Sequence, residues 1–349
     1  METIPMSETI PMSAKFTAPE LNPRTVAVDR PVPSAFIDET EKFIAVIEDG
    51  TRSRPLPDYI RKHKSELDEM IATHGGVLFR GFAVETPAQF RDVVTGFGRE
   101  QLPYLERAAA RTEVVSGVFT STEFSSSSWI ELHHEMSFAQ RIPERIFFYA
   151  DTLAETGGET PVADEYLATA RISPAILKAF SERDVLYTRN FRSEIDMDWR
   201  SAFQTDDRAD VEAYCRTNDI SFEWLGEDHL RTRQRQKAFA LEPGTDRTLF
   251  CNHAHIFHRA ALNPALLAAL VDAYGEDLPR NVQFGDGSPI PDEMILEIRG
   301  IYEDCLRIFP WGHRDVMILN NVRCLHGRAP FTGRRTTLVS MTNLISRRV

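Results

Sequence analysis

Cysteine is scarce in this chain and widely scattered. The four thiols, Cys215, Cys251, Cys305 and Cys324, form no CxxC pair and no compact framework of the kind that staples small secreted domains. Reduced thiols in a cytoplasmic protein are the expectation. No uncharged apolar run reaches the length of a membrane span. The N-terminus lacks the basic region and apolar core of a secretory signal. Positive charge is in deficit, with 40 Lys and Arg against 52 Asp and Glu and a formal net charge of -12. That balance argues against nucleic acid or an anionic membrane as partner and leaves room for a local basic pocket. Neither Gly157-Gly158 nor Gly285-Asp286-Gly287 follows a strand-to-helix phosphate pattern, so both read as turns.

What is present is ordinary globular composition, 42% apolar and 10% aromatic over 349 residues, enough for a sizeable core. Residues 1–35 are proline-rich and without period, and read as a disordered or wrapping tail. Their tandem hexapeptide, Glu2–Ser7 and Glu8–Ser13, is too short to build a solenoid. Apolar positions from Leu56 through Tyr59, Ile60, Leu67, Met70 and Ile71 follow helical spacing up to Gly75. A second short helix runs from Thr86, a candidate N-cap followed by Pro87, to Phe97.

The centre is rich in strand patterns: Val114–Thr120, Trp129–Glu135, Ile146–Ala150, Thr160–Ala163 and Val185–Phe191. Two more close the chain, at Val316–Leu319 and Thr336–Leu344. The residues between, about 192–310, read as mostly helical or irregular. They include a helix over Asn263–Tyr274 and another lined by Met294, Ile295, Ile298, Ile301, Tyr302 and Cys305. Strands, a helical insert and strands again predict a mainly β sandwich or barrel with a lid-like elaboration, one domain over 36–349.

His133 and Glu135 stand two residues apart, so on an extended strand both side chains would share a face. A third imidazole, His326, arrives after the late apolar strand, and Arg335 follows it across a turn-rich link. Two histidines and one carboxylate make the facial ligand set of a non-haem Fe(II) oxygenase, with positions left open for other ligands. By chance alone about one His-x-Glu match is expected in such a composition, so the pair depends on its context. Arg335 supplies what a dicarboxylate co-substrate such as 2-oxoglutarate needs, because guanidinium grips a carboxylate with two parallel hydrogen bonds. Standing alone it would read as a surface ion pair. Arg334, facing the other way, reads as exposed.

Several ordered segments carry a family resemblance: Gly76–Phe82, Leu132–Phe138, Glu155–Asp164, Phe284–Ser288, Phe309–Trp311 and His326–Phe331. Together they resemble the TauD/TfdA (taurine dioxygenase-like) family of Fe(II)/2-oxoglutarate oxygenases, from about His74 onward. The branch that includes the syringomycin-pathway aspartyl hydroxylase is the nearer match. This resemblance implies a double-stranded β-helix, or jelly roll, with Fe(II) on His133, Glu135 and His326. It places the far carboxylate of 2-oxoglutarate on Arg335 and Thr160, with O2 as the remaining reactant. It also implies hydroxylation of an amino acid or derivative, free or tethered to a carrier protein, in natural-product biosynthesis. Related halogenases carry a small residue in place of the metal carboxylate, so Glu135 points to oxygen insertion. Two departures, His134 where asparagine is common and His253 where glutamine is usual, leave the ligands intact and bear on the substrate.

Other readings stand beside these. His253, His255 and His258 have zinc-like spacing but no matching carboxylate or thiol beyond Cys251, so structural or substrate-pocket roles are expected. His134 faces away from the metal on an extended strand, and packing is its plainer role. Arg328 is a candidate for a substrate carboxylate or for fastening a lid, with Arg189, His134 and His253 as further substrate candidates. Ser125–Ser128 reads as a loop at the mouth or an ordinary surface loop. A small sulfonate or other organic acid is the alternative substrate, and desaturation or cyclisation the alternative outcome. A β-sandwich that binds metal or ligand without redox chemistry is the alternative of a different class.

Overall fold

The computed structural model describes residues 31–99, 101–102, 105–122, 124–194 and 196–347. Most of the expected N-terminal tail, including the hexapeptide pair, lies outside the described residues. Among the described residues no helix is long and apolar enough to cross a membrane.

An eight-stranded sheet forms the larger wall of the molecule. Its order is Ala35–Asp38, Phe43–Glu48, Gly76–Arg80, Val316–Asn320, Arg141–Thr152, Thr336–Ser346, Val118–Thr120 and Glu113–Val115. Both faces of its centre are buried, which explains why Val316–Leu319 is apolar throughout rather than alternating. Val316 and Ile318 join Phe147, Tyr149 and Leu338 in a core shared with the helices. Met317 and Leu319 face the other way, joining Ile146, Phe148, Val339 and Met341 in the main interior.

The helices behind the sheet follow the sequence closely. Thr86 caps Pro87–Gly96, its hydroxyl accepting from the Gln89 amide at 3.2 Å. The stretch expected as one helix after Leu56 is two, Leu56–Lys62 and Lys64–His74, broken at His63 and ended by left-handed Gly75.

Facing the large sheet is a three-stranded one, Ile130–His133, Cys324–Arg328 and Val162–Asp164, with Cys324–Arg328 in the middle. Two sheets face to face make the jelly-roll architecture. His326 pairs directly with His133 across this small sheet, and the register shifts between His326 and Arg328. Gly327 makes that irregularity possible, because a Cβ there would stand 2.5 Å from the Ile130 carbonyl oxygen.

The inserted region carries the expected helices, Pro264–Tyr274 and Asp292–Cys305. The second buries Ile295, Ile298, Tyr302 and Cys305, whereas the first buries none of its residues. The region also holds a four-stranded antiparallel sheet, Ser221–Trp224, Leu230–Gln236, Val185–Phe191 and Arg280–Phe284. Val185–Phe191, grouped by pattern with the central strands, therefore belongs to this second sheet. The reason is visible in Leu230–Gln236, whose inward residues Thr232, Gln234 and Gln236 are polar and give no apolar alternation.

Candidate metal centre

Strand Ile130–His133 ends at the residue that matters most. The His133 Nδ1–H donates to the Glu131 carbonyl at 2.7 Å, which fixes the ring and turns Nε2 outward as a lone-pair donor. Burial, with His326 beside it, lowers the His133 pKa to about 4, so the ring stays neutral at physiological pH.

Glu135 is reached differently from the expectation. It lies in the turn after the strand, followed by left-handed Met136. Strand alternation therefore does not aim it. Asn321 does: its Oδ1 accepts from the Glu135 amide at 2.8 Å and its Nδ2 donates to the Glu135 carbonyl at 3.0 Å. Burial alone would raise the carboxyl, but the Arg111 guanidinium, 2.9 Å from Oε2, overrides it and holds the group well below the usual carboxylate range. His326 is buried on its own strand, with Nε2 3.7 Å from Glu135 Oε2 and its ring edge-on to Phe148.

One ligand atom from each of His133, Glu135 and His326 lies within 4.8 Å of the others. Two imidazoles and an ionised carboxylate are a donor set suited to Fe(II). The residues present therefore fit a divalent metal. The cavity beside them is lined by Thr160, Arg335 and Arg328 as well as both histidines. Arg335 reaches it from across the turn, its Nε donating to the Gly158 carbonyl at 2.8 Å. Gly158 is left-handed, and a Cβ there would stand 2.8 Å from Arg335 Cδ, so glycine is what lets the guanidinium pass. Burial, then the neighbouring Arg328, lowers the Arg335 pKa to about 10, still cationic at neutral pH.

A family model described as "Taurine catabolism dioxygenase TauD, TfdA family" matches residues 44–342. The chain belongs to the TauD/TfdA family. It is accordingly an oxidoreductase, an Fe(II)/2-oxoglutarate-dependent dioxygenase. Among its relatives, the dapdiamide synthesis protein DdaC of Enterobacter agglomerans is 36% identical over 299 residues, 85% of this chain and 90% of that one. A clavaminate synthase-like protein of Arabidopsis thaliana is 31% identical over 339 residues, covering 90% and 98%. The solved structure of PvcB from Pseudomonas aeruginosa superposes with a TM-score of 0.54 over 94% of this chain and 98% of that one. At 16% identity that likeness is one of fold.

Within the TauD/TfdA frame the remaining candidates separate. Thr160 is buried, its hydroxyl accepting from Trp311 Nε1 at 3.0 Å, a partner the sequence contained in Phe309-Pro310-Trp311 without revealing its task. Arg328 lines the cavity, yet its guanidinium donates to the carbonyls of Phe124, Ser125 and Ser128, fastening the serine loop. His134 turns into the core, 3.6 Å from Glu165 Oε2. Arg189 is buried away from the cavity lining, donating to the carbonyls of Glu106 and Arg107 and lying over the Phe191 ring. His253 packs edge-on against His133 with ring centroids 5.6 Å apart, its Nδ1 hydrogen-bonded to Ser137 Oγ at 2.6 Å. Arg111 and Asn321 belong to no pattern along the chain, and only the fold brings them to Glu135.

Proposed function

We propose that this dioxygenase hydroxylates an unactivated C–H bond of an amino acid or amino-acid derivative, free or carried on a carrier protein, in natural-product biosynthesis. The observation that carries the reading is the convergence of His133, Glu135 and His326 on a cavity shared with Arg335 and Thr160. The relationship to DdaC, a dapdiamide synthesis protein over 90% of its length, supports the natural-product setting. Four free, buried cysteines are in keeping with a cytoplasmic location.

In this reading His133, Glu135 and His326 hold the metal. Bound there, Fe(II) supplies the activation of O2 that couples oxidative decarboxylation of 2-oxoglutarate to oxidation of the substrate. Arg335 provides the fixed fork for the distal carboxylate of 2-oxoglutarate, and Thr160, its hydroxyl already oriented by Trp311, supports the same group. Phe148, Ile130 and Val339 give the cavity apolar walls that keep water from the reacting centre. Arg328 lines the cavity and ties down the serine loop, so its contribution is to placement. Asn321 keeps Glu135 aimed after the strand has ended.

The reading is tested by following succinate formed from 2-oxoglutarate with Fe(II), O2 and a panel of free and carrier-loaded amino acids. An amino acid should stimulate succinate formation by the wild type, and His133→Ala should form none. Equal succinate from both proteins would remove the oxygenase assignment of these residues. Stimulation by sulfonates alone would move the substrate to a different class.

A further inference from the structure

The turn that carries Glu135 contains a residue in a conformation that L side chains rarely adopt. Met136 lies at φ 56°, with its side chain buried in the main interior. A strained residue of this kind persists only where its surroundings over-determine the backbone. On the N-terminal side Asn321 does so, holding both backbone groups of Glu135. The C-terminal side needs a hold of its own, and Ser137 has one. Its buried hydroxyl is hydrogen-bonded to His253 Nδ1, which fixes the side chain. Its carbonyl accepts from the guanidinium of Arg347, which fixes the backbone.

Arg347 stands just beyond the final strand, Thr336–Ser346, where a charged chain end would ordinarily be solvated. Instead it is only 1% exposed. Its amide donates to the Gln140 carbonyl at 3.1 Å, which lays the residue across the exit of the turn. From there Nη1 reaches the Ser137 carbonyl, and Nη2 reaches the carbonyls of Lys237 and Cys251. Those two residues flank the inserted hairpin of Phe239–Leu241 and Thr248–Phe250. One planar fork thus joins the metal-bearing turn, the end of the last strand and the base of the hairpin. Guanidinium suits this task because its donors are fixed in one plane, whereas an ammonium is a single point. Burying a cation so deeply is costly, and the three carbonyls are what offset it.

We propose that Arg347 is a positioning residue for the metal centre. By holding the Ser137 carbonyl it keeps Met136 left-handed, and so keeps the Glu135 carboxylate aimed at the metal. It acts from the opposite side of Met136 to Asn321, and neither residue touches the metal position. The inference rests on Glu135 being a metal ligand, as assigned in the preceding section.

Mn(II) titrated alone into the full-length protein tests it, with thermal unfolding followed on the same samples. R347Q should bind Mn(II) about tenfold more weakly than wild type, as expected of a partner that orients a ligand. R347K, whose single ammonium cannot serve three carbonyls, should bind about threefold more weakly. The sharpest comparison is R347Q/M136G. Glycine takes the left-handed conformation without strain but deletes a buried side chain. The double variant should therefore unfold at a lower temperature than R347Q and yet bind Mn(II) to within about threefold of wild type. A merely structural Arg347 gives no such recovery, because the added glycine only weakens the fold. Wild-type affinity in folded R347Q would overturn the proposal, as would a double variant that binds no more tightly than R347Q. Should the glutamine variants not fold, R347K decides alone, since wild-type affinity there overturns the proposal and weaker binding supports it. Undiminished Mn(II) binding in E135A would instead remove the assignment of Glu135 itself, and the proposal with it.

Discussion

His133 and His326 lie beside a second group of imidazoles, His253, His255 and His258, close enough that the rings of His133 and His253 meet edge-on. In sequence the second group is the richer in metal-binding residue types. In the fold each of its rings is already engaged. His253 Nδ1 is hydrogen-bonded to Ser137, His255 Nε2–H donates to the Leu132 carbonyl at 2.7 Å, and His258 Nε2–H donates to the Ile290 carbonyl at 3.0 Å. The carboxylate beside His258, that of Asp292, is exposed and 3.9 Å away. His133 and His326 instead converge with a buried carboxylate beside an open cavity. Neighbouring histidines are thus sorted by what their second nitrogens and nearest acids do, and spacing along the chain is a poor guide to that.

The sharpest way to break this contrast is to remove one ring from each group. His326→Ala should reduce Fe(II) or Mn(II) affinity by far more than the roughly 10–100-fold typical of outer partners, measured by anaerobic titration. His255→Ala should leave the affinity near wild type and lower stability by about 2–4 kcal/mol, since a buried ring packed on Tyr302 leaves a cavity. Metal binding that survives the first change, or collapses in a folded protein after the second, would reverse the assignment of the two groups. His255 also predicts a pH dependence for the metal-free protein. Burial pushes its pKa down to about 3, whereas an unfolded histidine titrates near 6.5. The unfolded chain therefore binds the proton first, and this contribution, complete above about pH 6.5, is lost as pH falls toward 3, at about 1.4 kcal/mol per unit. His255→Asn should flatten the denaturation profile in that window by one proton's slope.

The same contrast explains what could be read in advance. His133, Glu135 and His326 are visible as residue types in context, and Thr160 and Arg335 through family resemblance. Strand alternation does not account for Glu135, because the strand stops at His133 and the carboxylate depends on Asn321, far downstream. Arg111 sits in no motif, and only the fold brings it to Glu135. The second sheet was hidden for a different reason. Its strand Leu230–Gln236 points Gln234 at the buried Glu106, whose Oε1 accepts a hydrogen bond at 2.6 Å, so its core face is polar. Hydrophobic periodicity reports only faces that bury carbon.

Asn321 offers a smaller test on the metal side of the comparison. It touches no metal position, yet it holds both backbone groups of Glu135 and the Pro143 carbonyl. Asn321→Ala should weaken Mn(II) binding by about 10-fold to 100-fold, the range for partners that orient a ligand. Asn321→Asp, which keeps the acceptor and loses the donor, should fall between. An unchanged affinity in Asn321→Ala would mean that the turn after His133 aims Glu135 unaided.

The smallest expected effect lies at the far end of the second group. His258 Nδ1 accepts from the Ala260 amide at 3.2 Å and so caps the short 3-10 turn Arg259–Ala261, while its Nε2–H ties that turn to Ile290. These are two neutral hydrogen bonds of a structural kind. His258→Ala should cost about 1–2 kcal/mol in denaturant unfolding. His258→Asn, which can still cap, should recover part of that loss. Mn(II) affinity should be the same in all three proteins, because neither bond reaches the strand that carries His133. A change approaching the tenfold expected of an orienting partner would show that the second histidine group supports the metal after all, and the division between the two would have to be drawn between His258 and the surface instead.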